Sequence, residues 1–328
     1  MAHASLSLAL AFFTVAAADC CLAADVAQKP GVTVAIATDS ASAPVMQGKP
    51  SGQILAAGSN RVLILNPDGK VVWEHGTKQA KTGDVQDAWM LPNGNVLFAD
   101  GLSVTEVTRE HKIVFQYIPK EQKGGGAFSC QRLDNGNTVI GENATGKILE
   151  VDPSGKVVFE LQTNPSKVGN HLNMRMVRKL DSGNYLVCMI GASQVHEYSP
   201  DGKKVMEIKA PSKTFSAIRT PQGTTLVSAF SGVFEYDKTG KEIWKFVQKD
   251  LPELALANFT GMSLFPNGDI AVGVLNAYNK DGKGTGMFAI TRDRKLVWRY
   301  ANPKGDKKML AVQLLDNAGN TLPGKCLR

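Results

Sequence analysis

Residues 132–161 read "RLDNGNTVIGENATGKILEVDPSGKVVFEL": an apolar strand, an Asn-Gly turn, two further strands, a Gly-Lys turn and a fourth strand. The same order of strands and turns recurs in residues 90–117 and 179–208, at a spacing of about 42 residues. A repeat of this length that contains only strands is typical of one blade of a β-propeller. The sequence therefore predicts an all-β ring of four-stranded antiparallel blades.

Two kinds of turn allow the blades to be counted. The turn between the first and second strands occurs five times, at Asn93-Gly94, Asn135-Gly136, Ser182-Gly183, Gln222-Gly223 and Asn267-Gly268. The turn between the third and fourth strands occurs six times, at Gly69-Lys70, His111-Lys112, Gly155-Lys156, Gly202-Lys203, Gly240-Lys241 and Arg294-Lys295. Asx-Gly pairs between apolar runs favour type I′ hairpins. The count predicts six blades, of which one lacks a first strand in its own part of the chain.

The missing strand is found at the other end of the propeller segment. Residues 52–75 read as strands two to four of a blade, and residues 309–320, "MLAVQLLDNAGN", read as a first strand with nothing after it. Pairing of the two ends beside Ile54 would close the ring without an exposed sheet edge. We therefore expect the propeller at 51–316 and a C-terminal tail at 317–328. The segment "VMQGKP" at 45–50 leaves a seventh blade open as an alternative.

The first residues resemble a targeting segment. Leu6 to Ala18 is an apolar run, and "CLAAD" offers a cleavage site after Ala23 or Ala24. The run is too short to span a membrane, and no later stretch is long enough. We expect a signal peptide at 1–24, a spacer at 25–50, and an exported protein, periplasmic or secreted, without a transmembrane segment.

Composition restricts the partners and cofactors. The net charge is +7, and removal of residues 1–24 deletes one acidic residue, Asp19, and no Lys or Arg, which gives about +8. The lysines are spread over the turns, which argues against a nucleic-acid surface. Cys130, Cys188 and Cys326 remain after cleavage, with spacings that fit neither a disulfide framework nor a zinc site. We expect a monomer with no metal site and with Cys130 and Cys188 buried.

Candidate site residues come from the strands and loops at one mouth of the channel. His171 and Arg175 form the catalytic candidate pair, since a histidine near an arginine can bind an anion or transfer a proton. The ligand-binding candidates are Asp87, Ser129, Asn143, Asn173, Ser216 and Asn258. We expect Asp87 to form an ion pair or an inter-blade hydrogen bond, with Arg175 as the facing cation. The insert at 276–286 marks the same face as the binding side.

The segments between strands three and four resemble a known repeat. "EYDKTGKEIWKF" (235–246), "LNPDGKVVWEH" (65–75) and "TRDRKLVWRY" (291–300) are similar to the pyrroloquinoline-quinone-like propeller repeat. "DAWMLPNGNVLFAD" (87–100) and "RLDNGNTVIGEN" (132–143) resemble blades of arylsulfotransferase-like bacterial propellers. These resemblances imply a propeller fold. The acidic calcium site and the additional histidines of the corresponding enzymes have no counterparts that we can locate.

Three functions follow as hypotheses. The first is a binding propeller that takes a small molecule, a glycan or a protein on the channel face. The second is an enzyme, an arylsulfotransferase-like protein or a lyase, that acts through His171 and Arg175. The third is a quinone-dependent oxidoreductase, for which the cofactor would be pyrroloquinoline quinone.

Overall fold

The computed structural model describes residues 45–77, 84–164, 169–254, 256–275, 284–301 and 308–328. The signal peptide predicted at 1–24, most of the spacer predicted at 25–50 and most of the insert at 276–286 lie outside these ranges. The described residues contain 25 β-strands and three short 3₁₀ segments. The strands are β1 Val45–Gly48, β2 Ile54–Gly58, β3 Arg61–Leu65, β4 Val71–Gly76, β5 Asp87–Met90, β6 Val96–Ala99, β7 Val104–Val107, β8 Ile113–Tyr117, β9 Ala127–Arg132, β10 Thr138–Glu142, β11 Lys147–Val151, β12 Val157–Gln162, β13 Val177–Lys179, β14 Tyr185–Met189, β15 Gln194–Tyr198, β16 Lys204–Lys209, β17 Thr214–Arg219, β18 Thr225–Ala229, β19 Gly232–Tyr236, β20 Glu242–Val247, β21 Phe259–Leu264, β22 Ile270–Val274, β23 Thr285–Ile290, β24 Leu296–Ala301 and β25 Met309–Leu314.

These strands form the six antiparallel sheets of a six-bladed propeller, as the turn count predicts. From the channel outward, blade 1 is β25-β2-β3-β4, and blades 2 to 5 are β5–β8, β9–β12, β13–β16 and β17–β20. Blade 6 is β21-β22-β23-β24 with β1 added outside β24.

Strands from both ends of the described chain pair with strands from the opposite end. Ile54 pairs with Leu314 and Ala56 with Val312, so β25 supplies the inner strand of blade 1 and the predicted closure is confirmed. The segment that left a seventh blade open, 45–50, instead contributes β1, which pairs with β24 from Val45↔Ala301 to Gly48↔Trp298. Blade 6 therefore has five strands.

The hairpin turns have a different geometry from the predicted type I′. In the first of them, the Gly94 N–H donates to the Leu91 carbonyl at 2.9 Å, and the Leu91 N–H donates to the Asn95 carbonyl at 2.9 Å. Gly94 has φ +82°, whereas Asn93 is not among the residues with positive φ. This is a type I turn followed by a left-handed glycine bulge. The expectation was wrong because it assigned the positive φ to both central residues.

The apolar core lies between neighbouring blades. Trp298 of blade 6 is 1% exposed and packs in one cluster with Ile54 and Leu63 of blade 1. Cys130 and Cys188 are buried free cysteines, as the sequence predicts. Each blade thus buries apolar side chains against the next blade, which fixes the spacing of the inner strands around the channel.

The C-terminal segment packs back onto the ring. Leu327 forms a bridge with Leu264, and Leu315 forms one with Thr321. Arg328 is 4% exposed, and its Nη2 lies 3.2 Å from Asp87 Oδ1. The segment predicted as a tail therefore places a buried cation against an inner strand. Within the described ranges, no helix has the length and apolarity needed to cross a bilayer.

Candidate functional site

One level of the inner strands carries residues that converge near the channel axis. Phe128, Arg175 and Phe215 each lie seven residues before the first residue of the following turn, at Asn135, Ser182 and Gln222. The strands of blades 3 and 5 have register shifts at this level. Bulges bend a strand and change the direction of its side chains, and they are frequent near functional sites.

The guanidinium of Arg175 lies near both aromatic rings. Its guanidinium carbon is 4.6 Å from the centroid of Phe128 and 5.9 Å from that of Phe215. The side chain is buried, with the residue 5% exposed. Nη1 donates to the carbonyls of His171 at 2.8 Å and Met174 at 3.0 Å, and Nη2 lies 3.0 Å from His171 Nε2.

Among the described residues, no carboxylate lies at contact distance from this guanidinium. The ion pairs of the described residues include none with Arg175, and its buried Nε has no hydrogen-bond partner there. Burial lowers the pKa of Arg175 to about 9, and the more distant Asp84 carboxylate opposes this only in part. A buried cation whose acceptors are all neutral is poorly compensated, which makes this position attractive to an anion.

His171 is exposed and uses both ring nitrogens. Nδ1 lies 3.0 Å from the Gly124 carbonyl, which can only accept, so Nδ1 carries the proton and donates. Nε2 then accepts from Arg175 Nη2. Burial of part of the ring, together with the Arg175 charge, lowers the pKa of His171 below its usual value. The ring is therefore a neutral acceptor at pH 7.

The loop that carries His171 is held by an asparagine from blade 3. Asn143 Oδ1 accepts from the Met174 N–H at 3.1 Å, and Asn143 Nδ2 donates to the Gly124 carbonyl at 3.1 Å. Asn173 Nδ2 donates to the Asn143 carbonyl at 3.0 Å. A Cβ on Gly124 would lie 2.3 Å from the Gly169 carbonyl oxygen, so this approach requires glycine. The structure thus places Asn143 and Asn173, two predicted ligand-binding residues, in the support of this loop.

Further polar residues lie at the same end of the inner strands. Lys308 Nζ is 2.5 Å from Asp84 Oδ2, and these charges act on His171. Asn258, predicted as a ligand-binding residue, is half-buried with φ +56°, and its carbonyl accepts from the Leu275 N–H at 2.9 Å. The mouth therefore combines one compensated ion pair with the poorly compensated Arg175.

Asp87 belongs to a second, separate cluster. It is fully buried, and its Oδ2 lies 2.8 Å from Arg178 Nη1, while Oδ1 lies 3.2 Å from Arg328 Nη2. The expectation of an ion pair is met, but the partners are Arg178 and Arg328 rather than Arg175. The sequence could not identify them, because Arg328 lies outside the repeats and reaches Asp87 only through the packing of the C-terminal segment.

The aromatic and hydroxyl neighbours complete this second cluster. The guanidinium carbons of Arg178 and Arg328 lie 4.9 and 4.6 Å from the Trp89 ring centroid. Ser129 Oγ accepts from the Val177 N–H at 2.9 Å and donates to the Val177 carbonyl at 3.1 Å. The structure thus ties Ser129, another predicted ligand-binding residue, to the neighbouring inner strand.

The two clusters together are electropositive. They contain three buried guanidinium groups, of Arg175, Arg178 and Arg328, and one buried carboxylate, of Asp87. Ser216, the remaining predicted ligand-binding residue, is 1% exposed, and its hydroxyl has no partner among the described residues. Positive charge in a confined, low-dielectric channel attracts anions.

A cavity of about 470 Å³ lies between blades 3 and 4. Its described lining combines apolar surface with polar side chains, which include those of Thr163, Asn164, Asn173, Gln194, His196 and Tyr198. Asn173 thus contacts both the cavity and the loop of His171. Sequence reasoning missed this cavity, because it assigned His196 to the interior of a third strand and considered only the channel mouth.

Inside the cavity wall, His196 has defined partners. Its Nε2 lies 2.9 Å from Gln194 Oε1 and its Nδ1 lies 3.0 Å from Tyr198 Oη. Burial, followed by the Lys204 charge, lowers the pKa of His196, and burial raises that of Tyr198. Both groups are therefore neutral at pH 7 and act as hydrogen-bonding groups.

The fold and these sites define a six-bladed β-propeller with an electropositive channel mouth. A family model, described as Mal s 1 allergenic protein-like, matches residues 58–233, and the chain belongs to this family. The propeller repeat was recognised correctly from the sequence, but the matching family is neither of the two that the repeats resembled. The curated proteins include no significant match to the sequence.

Several solved structures share the fold. A protein of unknown function from Bacteroides caccae superposes with a TM-score of 0.70 at 22% identity, over 80% of this chain and 98% of that one. Virginiamycin B lyase from Staphylococcus aureus, in a catalytically inactive variant with quinupristin, superposes with a TM-score of 0.53 at 13% identity, over 80% of this chain and 89% of that one. The extracellular domain of a putative hybrid two-component system from B. thetaiotaomicron superposes with a TM-score of 0.53 at 17% identity, over 81% of this chain and 35% of that one. At these identities the likeness concerns the fold alone.

Proposed function

We propose that this protein is an exported binding propeller that takes a small anionic ligand at the channel mouth, with Arg175 as the group that recognises the charge. The observation that carries the proposal is the buried Arg175 guanidinium, whose acceptors are two backbone carbonyls and a neutral imidazole. Export is inferred from the apolar run at Leu6 to Ala18 and the cleavage sequence that follows it.

When a ligand binds, it replaces His171 as the hydrogen-bond acceptor of Arg175 Nη2. His171 is exposed and covers Arg175, and its Nε2 accepts from Nη2. A carboxylate or phosphate oxygen adds a negative charge to the acceptor side of the hydrogen bond, so it forms an ion pair with Arg175 that the neutral imidazole cannot form. An arriving anion would therefore displace the imidazole from Nη2, while the two carbonyl bonds keep the guanidinium in place. Cation–π contacts with Phe128 and Phe215 also stabilise its position.

The hydrogen bonds of His171 favour binding over catalysis. A general base needs a free nitrogen within reach of the substrate proton. In the structure both nitrogens of His171 are occupied, one by the Gly124 carbonyl and one by Arg175, and Nε2 becomes free only after an anion has taken its place on Arg175. We assign His171 the role of a gate over Arg175 and keep the enzymatic alternative as the hypothesis that a His171 variant tests.

The test is calorimetric titration with inorganic phosphate and sulfate, against chloride at constant ionic strength. Arg175→Gln should weaken phosphate or sulfate binding at least 10-fold, since the charge is lost. Arg294→Gln, which removes one charge from an exposed outer turn, is the matched control and should bind as the wild type does. His171→Ala should retain binding, because it opens the path to Arg175.

Thermal stability separates recognition from structure. Arg175→Gln removes a poorly compensated buried charge, so its melting temperature should equal or exceed that of the wild type. Sulfate and phosphate stabilise proteins in general, so only the difference between Arg175→Gln and Arg294→Gln is informative. Equal affinity for phosphate, sulfate and chloride in the wild type would contradict the proposal. So would unchanged binding in Arg175→Gln.

A further inference from the structure

Two histidines from neighbouring blades meet on the outer side of the ring. His75 lies in β4 of blade 1, and His111 lies in the turn before β8 of blade 2. Their Nδ1 atoms are 3.2 Å apart, and their rings are inclined by 22° with centroids 5.4 Å apart. His75 is half-buried and His111 is exposed, so the pair is open to solvent on one side.

We propose that His75 and His111 form a two-histidine site for a divalent transition metal ion of the Zn²⁺ type, completed by water. Imidazole nitrogen is the commonest protein ligand for such ions. Two Zn–N bonds of about 2.0–2.1 Å at a tetrahedral angle place their nitrogens about 3.3–3.4 Å apart. The observed separation of 3.2 Å is close to that value. The sequence predicted no metal site, because the two residues belong to different blades.

The surroundings hold both rings in position. Trp73 lies parallel to His111, with ring centroids 5.4 Å apart and an angle of 9°. The Trp73 Nε1–H donates to the Arg109 carbonyl at 2.8 Å, which ties blade 1 to the turn that carries His111. Phe98, which belongs to blade 2, packs against His75 with ring centroids 5.5 Å apart. Metal sites need ligands whose orientation is fixed by neighbouring groups, and Trp73 and Phe98 supply this here.

The backbone at His111 is an independent observation. His111 has φ +67°, a left-handed conformation that is unfavourable for residues with a side chain. The equivalent position in four other blades is glycine: Gly69, Gly155, Gly202 and Gly240, with φ between +83° and +88°. In blade 6 it is Arg294, with φ +64°. Histidine is among the residue types that adopt this conformation more readily, and at this position it places an imidazole beside His75 where four other blades have no side chain.

The nearby charged groups are compatible with a cation. The carboxylate of Asp100 lies near enough to His75 to interact with it electrostatically. Asp100 Oδ1 accepts from the N–H groups of Leu102 and Ser103 at 3.0 and 2.8 Å, which fixes this carboxylate in its own loop.

The experiment is a Zn²⁺ titration by calorimetry on the full chain without a polyhistidine tag. The wild type should bind one equivalent at the pair. His111→Gly should weaken this binding at least 10-fold while folding normally, since it introduces the residue that four sister turns use. His75→Gln should weaken it similarly. Arg294→Gly relieves the same backbone conformation in blade 6 and leaves both histidines intact, so it should bind as the wild type does.

All four proteins share every other histidine, so a difference between them reports on this pair alone. A wild type without saturable Zn²⁺ binding would show that the contact is only a hydrogen bond between the two rings. Binding that is equal in His111→Gly and the wild type would place the metal elsewhere. Either result overturns the proposal. Zn²⁺ should also raise the melting temperature of the wild type and of Arg294→Gly, but not that of His111→Gly.

Discussion

Replacement of Asp87 by Asn tests whether the buried cluster at the inner strands holds the ring together. In the wild type the fully buried Asp87 carboxylate has its Oδ2 2.8 Å from Arg178 Nη1 and its Oδ1 3.2 Å from Arg328 Nη2. The amide keeps the size of the side chain but removes the Asp87 charge from two buried guanidinium groups, which retain hydrogen bonds to the Arg328 main-chain oxygen and to Gln313 Oε1. Loss of one partner of a buried ion pair costs about 3–5 kcal/mol of unfolding free energy. At about 2 °C per kcal/mol for a large domain, the melting temperature should fall by roughly 6–10 °C.

The assay is urea unfolding followed by Trp fluorescence, together with calorimetry. Trp89 lies beside both guanidinium groups and reports on this region. Asp84→Asn is the matched control, because it makes the same change in the partly exposed pair with Lys308, where about 1 kcal/mol or less is expected. If Asp87→Asn lost no more unfolding free energy than Asp84→Asn, the cluster would not stabilise the fold and the reasoning would be refuted.

Two further predictions concern ring closure and pH. A Cβ at Gly261 would lie 2.1 Å from the Leu310 carbonyl oxygen of the closing strand, so Gly261→Ala should destabilise the protein by about 3 kcal/mol or more. Gly76→Ala meets nothing within 4 Å and should leave urea unfolding nearly unchanged, and equal midpoints for the two variants would contradict this. Burial lowers the pKa values of His171 and His196, helped by Arg175 and Lys204 respectively, so the unfolded chain binds protons first as the pH falls. The stability is fully present above the ordinary histidine pKa of about 6.5 and should fall from pH 7 toward pH 5. In His196→Gln the melting temperature should fall less between pH 7 and pH 5 than in the wild type. A wild-type melting temperature that is constant over this range would contradict the predicted contribution of the two histidines to stability.

The blades were predictable because their signals are local. A hairpin turn such as Asn93-Gly94 and its flanking apolar alternation lie within a few residues, and six turns of the second kind gave the correct count. Ring closure was also predictable, since residues 309–316 form a first strand without a second. The strand at 45–48 was ambiguous, because a single strand without turns does not reveal which sheet edge it joins.

The sites were less predictable, because they form between blades. The sequence identified His171 and Arg175, which lie in the segment before β13 and contact each other. It gave Asp87 the wrong partner, because an ion pair across the channel depends on which inner strands face each other. The pair of His75 and His111 depends in the same way on the packing of blade 1 against blade 2, for which the repeat pattern contains no signal.

The contrast between the two channel clusters is the strongest physical argument for a ligand. The fold supplies a buried carboxylate to Arg178 and Arg328, but offers Arg175 only carbonyls and a neutral imidazole. A structural arginine at this depth would be expected to have a fixed counter-charge. Removal of charge should therefore act in opposite directions in the two clusters. Loss of the Asp87 carboxylate should lower the free energy of unfolding, whereas loss of the Arg175 guanidinium should preserve or raise it and weaken anion binding at least 10-fold.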